Sequence, residues 1–160
     1  MNENDLHFKR AEIVQHTQRL LDSYKHWTGA ELAAREGSAE AQAENLYRAP
    51  FVVVSHATQS DPILNYANAI ALTLWEMDWQ TFTSTPSRMT AETAQLQEER
   101  ARFMKEALEK GFVRNYRGIR ISRTGKRFWI ENATIWTVRD EQGNRCGQAA
   151  TFKEWRFLQE

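Results

Sequence analysis

Apolar positions recur every seven residues through residues 6–27, where Leu6, Ile13, Leu20 and Trp27 fall in line and Leu21 and Tyr24 widen the stripe. That spacing predicts an amphipathic helix. Thr28 and Gly29 interrupt it. Residues 30–48, rich in Ala and Glu, predict further helix with a break at Gly37 and Ser38. After Pro50 the period changes. The β-branched run at residues 51–56 predicts a buried strand, Asp61-Pro62 a turn, and residues 63–66 the returning strand of a hairpin. Residues 68–77 turn helical, with Ile70, Leu72, Leu74 and Trp75 as apolar positions, and Asp78 is placed to cap a short turn holding Trp79 and Phe82. Pro86 and Ser87 break the chain again. Residues 91–110 predict a long helix that Gly111 stops. Three β segments follow, near 113–122, 127–138 and 146–155, turned by Thr124-Gly125 and by residues 141–144.

Strands joined this tightly are antiparallel neighbours. The fold class predicted is α+β: a five-stranded antiparallel sheet with a helical connector on one face and an N-terminal helical extension. Residues 1–49 form that extension and residues 50–158 the core.

The 160 residues suit one domain, and 21 basic residues balance 21 acidic ones. A neutral chain has no general electrostatic pull toward nucleic acid or an anionic membrane, so neither partner is expected. Cys146, the only cysteine, fits a reducing compartment. The polar start lacks a secretory-signal pattern, and no apolar run approaches the roughly 20 residues of a membrane helix. A cytoplasmic protein is the expectation. Six tryptophans point to a large aromatic core or an apolar binding surface.

Several blocks carry a resemblance: residues 51–56 (Phe-Val-Val-Val-Ser-His), 61–68 (Asp-Pro-Ile-Leu-Asn-Tyr-Ala-Asn), Pro86-Ser87-Arg88, 118–122 (Gly-Ile-Arg-Ile-Ser), 125–136 and 147–152 (Gly-Gln-Ala-Ala-Thr-Phe). Over about residues 12–158 the chain resembles the MEKHLA domain family, in the stand-alone form of bacteria and algae, since the eponymous hexapeptide is absent. Related domains end the plant class III homeodomain leucine-zipper factors. The resemblance implies a PAS-like fold and a sensory or protein-interaction role, with no catalytic motif. The chain ends soon after its last strand, so the expectation is a module that signals to a separate protein or through self-association.

The PAS-like resemblance also frames the cofactors. A cysteinyl-flavin light sensor needs a reactive cysteine in the helical connector, and this connector has none; Cys146 opens the last strand. The places where such sensors put flavin-binding amides fall on Arg120, Ile130 and Ala149, with Gln148 one step off and on the opposite face. Haem commonly takes a histidine from the long helix, and residues 91–110 hold none. No cofactor is predicted. His7 and His16 read as solvated helix residues, His56 as a satisfied strand histidine, and no pair has metal-ligand spacing.

A small organic ligand remains, or none. With strict alternation, Phe128, Ile130, Asn132, Thr134 and Trp136 face the connector. Either this face is a filled core, or Asn132 and Thr134 project into a pocket walled by Trp75, Phe128 and Trp136. An inward Arg120 would need an anion: Glu131, Asp61 or a ligand carboxylate. The alternative is an arginine that snorkels to a sheet edge. The basic cluster of Arg114, Arg117, Arg120, Arg123, Lys126 and Arg127 reads as a solvated edge that resists aggregation. Ser55, His56 and Asp61 suggest a triad, but adjacent strand residues diverge, and no enzyme is expected. The stripe of Leu6, Ile13, Leu20 and Trp27 covers its own sheet, over Trp129, Ile135 and Phe152, or else pairs two copies as a homodimer. The function expected is a PAS-like sensor of a small organic ligand, anionic where an inward Arg120 calls for it, or of a protein partner; the alternative is a ligand-free interaction domain with a filled core.

Overall fold

Ile13, Thr17, Leu20 and Leu21 lie along one buried side of α1 (Ala11–Thr28). The computed structural model describes residues 7–91 and 94–158. Gly29 ends α1 in the left-handed region (φ 77°), returning its N–H to the Lys25 carbonyl. Residues 30–36 are not helical, unlike the sequence expectation. Gly29 and Gly37 (φ 81°) stop the helix on both sides, and so short a segment between them cannot repay helix nucleation. Ser38 then caps α2 (Ala39–Tyr47), its Oγ accepting the Ala41 N–H at 3.1 Å.

The hairpin of β1 (Val52–His56) and β2 (Leu64–Ala67) is antiparallel, as predicted. The connector follows as α3 (Ala69–Trp75), α4 (Trp79–Phe82) and α5 (Ala94–Lys110), with a 3-10 turn at Ser87–Thr90. Asp78 caps α4 by accepting the Thr81 N–H at 2.7 Å. β3 (Phe112–Ile121), β4 (Arg127–Arg139) and β5 (Arg145–Phe152) complete the main sheet in the order β2-β1-β5-β4-β3.

The last predicted strand divides. After Lys153 the chain resumes as β6 (Glu154–Phe157), pairing the near half of β4 in the register that β5 holds with the far half. The antiparallel sheet therefore has six strands instead of five.

Helices cover both faces. Toward α3–α5 lie Val52, Leu64, Trp75, Phe82, Phe128, Ile130, Ile135 and Phe152. On the other face α1 and α2 bury Leu20, Leu21 and Leu46 against Val53, Trp136, Val138 and Ala149. The helical stripe thus packs on its own sheet. Ile13 and Leu20 are buried there, and Trp27 donates its indole N–H to the Thr137 carbonyl at 2.8 Å; Leu6 lies outside the described residues. The strand residues beneath it differ from those expected. Ile135 and Phe152 face the connector, while Trp129 lies under the Arg117 guanidinium, 3.8 Å from its ring centre.

For Ile135 the reason is a pair of compensating bulges. Between Val113↔Ile135 and Tyr116↔Ala133, β3 advances three residues against two on β4; between there and Gly118↔Ile130, β4 advances three against two. Each extra residue is an asparagine with positive φ, Asn115 at 59° and Asn132 at 50°. Asparagine tolerates that region far better than a β-branched residue does. A bulge reverses which side chains face which side, so the alternation along β4 changes phase at Asn132.

Candidate functional site

Between the sheet and α3–α5 lies a cavity with about 60 Å³ open to the centres of water molecules. Its walls are mostly apolar: Val54, Leu64, Trp75, Phe82, Ile130, Ile135 and Phe152. Trp75 stands edge-on to Phe128, with ring centres 5.3 Å apart. The Trp75 indole N–H is buried and meets no acceptor. The turn after α3 is held to the β3–β4 hairpin, where the Glu76 carboxylate accepts from Ser122 and Thr124 and pairs with Lys126.

His56 closes the wall from β1. Its Nδ1 lies 2.9 Å from the Ala57 carbonyl, which can only accept, so Nδ1 carries the proton and Nε2 keeps a lone pair. Nε2 is buried and has no partner. Burial, aided by the charges of Arg100 and Arg145 and opposed by the Ala57 bond, holds the ring down to about 4. It stays neutral near pH 7. The sequence reading of a satisfied strand histidine is therefore half right, with one nitrogen satisfied and one not.

Arg120 points inward from β3 and is only 6% exposed. Its Nη2 donates to the Tyr116 hydroxyl at 2.9 Å and its Nη1 to the Ile119 carbonyl at 3.0 Å. Neither expected protein anion meets it: Asp61 pairs with Arg88, and Glu131 with Arg117 and Arg156. Arg100 reaches the same cavity from α5, donating Nη2 to Ser87 Oγ at 2.8 Å. Burial, reinforced by the Arg120 charge and opposed by Tyr116, lowers it to about 10.

Of the six site residues predicted, Trp75 and Arg120 line the cavity, and Phe128 stands buried behind Trp75. The other three do not join them. Asn132 is exposed at the bulge, donating Nδ2 to Glu154 at 2.7 Å. Thr134 faces a separate surface groove beside Tyr24 and Leu32. Trp136 is fully buried, but against Tyr24 of α1, with ring centres 5.0 Å apart. Strict alternation sends them inward; the bulge turns them out, and Ala133 and Ile135 take the cavity face.

Sequence reasoning missed His56, Arg100, Tyr116 and Gln148 as cavity residues. A signal existed for Arg100, which stands three, four and seven positions before Phe103, Met104 and Ala107 on the apolar side of α5. The other histidines also need correction. His7 is buried and stacks on Trp79 at 4.1 Å, and His16 hydrogen-bonds Ser55 Oγ at 2.9 Å. Ser55 and His56 face opposite sides of the sheet, and Asp61 joins neither. Among the described residues, no cluster of three His, Cys, Asp or Glu side chains suits a metal, and no helix is long and apolar enough to cross a membrane.

A five-strand antiparallel core with a helical connector closing a cavity on one face defines a PAS-like protein. Solved structures agree. The PAS domain of a protein from Colwellia psychrerythraea superposes with a TM-score of 0.61 at 16% identity, over 74% of this chain and 95% of that one. A light-oxygen-voltage domain studied with a flavin analogue gives 0.57 at 18%, over 75% and 86%. A variant of Vivid with one isoleucine replaced by valine gives 0.53 at 17%, over 65% and 81%. At these identities the likeness is one of fold. The family model of the MEKHLA domain matches residues 14–157, and the chain belongs to that family. No curated protein matches the sequence.

Proposed function

We propose that this MEKHLA domain is a sensory module that binds a small organic ligand between the sheet and α3–α5. It passes occupancy to a protein partner or a second copy, and catalyses nothing itself. The observation that carries this reading is the pair of orphaned polar atoms, His56 Nε2 and the Trp75 N–H, on residues that line a mostly apolar cavity. A buried polar group without a partner costs about 1–3 kcal/mol, which a ligand or ordered water offsets. A purely structural core would favour apolar side chains at both places.

Flavin and haem do not fit this reading. No cysteine overlies the cavity, and Cys146 packs with the α1 side of the sheet. A cavity of about 150 Å³ is what accommodates benzene, so 60 Å³ is too small for an isoalloxazine or a porphyrin. Binding and release instead change how α5 and the Trp75 turn sit on the sheet.

Native mass spectrometry beside a denatured control tests the proposal. A small non-covalent mass that is released on denaturation and depleted by His56→Leu supports it. A protein that stays unladen after incubation with cell-extract metabolites favours the ligand-free interaction domain instead.

A further inference from the structure

Two guanidinium groups enter one small cavity, and among the described residues no carboxylate stands within ion-pair distance of either. The arginines that do meet a carboxylate are outside the cavity: Arg19 with Glu141, Arg35 with Asp22, Arg88 with Asp61 and Arg117 with Glu131. A guanidinium has five N–H donors. Within the protein Arg120 uses two groups and Arg100 one, on neutral oxygens. Tyr116 accepts from Arg120, which leaves its own O–H to donate. Leaving like charges together in a low-dielectric site is costly unless an anion joins them. The depressed value of Arg100 is the mark of that cost.

Size and lining narrow the anion. A water occupies about 10–15 Å³ on the scale used for the cavity, so 60 Å³ holds roughly four to six water-sized groups. Most of the wall is hydrocarbon, which an inorganic anion would waste. We infer that the cavity takes a short-chain organic acid, its carboxylate clamped between Arg100 of α5 and Arg120 of β3 and its apolar body against Trp75, Ile130 and Ile135. This rests on the ligand-sensor reading and adds the ligand's class. It also supplies the coupling, since the carboxylate ties the long helix to the sheet.

Calorimetric titration of the full chain with acetate, its neutral isostere acetamide, and inorganic phosphate tests the clamp. Acetate is expected to bind at least about tenfold tighter than the amide, as loss of charge-assisted hydrogen bonds implies. Arg120→Met should reduce acetate binding to the level of the amide and leave amide binding unchanged. Arg100→Met, on a half-exposed helix position, gives the same readout if the β3 variant fails to fold. Equal binding of acid and amide, or tighter binding of phosphate, overturns the carboxylate clamp and leaves a ligand cavity standing. Binding of none of the three also overturns it, and the mass measurement then decides separately whether the cavity holds any ligand.

Discussion

Asn132 shows how much one backbone conformation decides. Its φ of 50° lets β4 carry an extra residue, and its side chain is tied to Glu154 across the gap between β5 and β6. A β-branched residue there would carry the left-handed penalty of about 1–2 kcal/mol and lose that bond. Asn132→Val is therefore expected to lower stability by about 2 kcal/mol, while Asn132→Gly, at ease with positive φ, loses less. Urea denaturation of both variants checks this; equal losses would mean that the conformation is not what asparagine supplies. The bulge was legible only as an asparagine inside a strand pattern. Its consequence, the exchange of Asn132, Thr134 and Trp136 for Ala133 and Ile135 at the cavity, was not, because period-2 reasoning has no means of placing an extra residue.

At the scale of elements, α1 is a layer of the core. Leu20 is fully buried among Val53, Trp136 and Val138, and Trp27 covers Gly111 so closely that a Cβ there would run into its ring. Leu20→Ala should cost about 2–5 kcal/mol, as cavity-forming core substitutions do, and lower the melting temperature measured by Trp fluorescence. A loss under about 0.5 kcal/mol, typical of a surface position, would show that the helix lies loosely on the sheet. The seven-residue stripe was readable as a helix. Whether it met its own sheet or a second copy was a question of where the chain turned back, which the helix stops at Gly29 and Gly37 and the packing of α1 on the sheet decide together.

For the whole molecule, the neutral histidines set the response to acid. Burial is the leading cause that holds His16 and His56 near 4, below the ordinary value of 6.5. Between those values the unfolded chain binds protons that the folded chain refuses, so stability is full above pH 6.5 and falls as pH drops toward 4. Glu76, hydrogen-bonded by Thr124 and Ser122, and Glu141, bonded by Arg19, are held down to about 2, so what they contribute is lost only below the usual carboxylate value of 4.5. The urea midpoint should therefore decline from about pH 7 to about pH 5, and less steeply in His56→Leu. A midpoint that stays level over that range would mean that the rings are protonated in the folded state.

The sequence by itself determined most of the order of elements, the antiparallel hairpins, the cap at Asp78, the break at Gly37 and Ser38, and the MEKHLA resemblance, because propensity, period and turn chemistry act over a few residues. It also reached Trp75 and Arg120, whose neighbours lie on the same local face. Only the tertiary structure decided what surrounds them. His56 of β1 and Arg100 of α5 meet Arg120 of β3 because long-range pairing and two compensating bulges set the faces of strands far apart in the chain. That arrangement leaves one buried and one half-buried cation facing a mostly apolar wall.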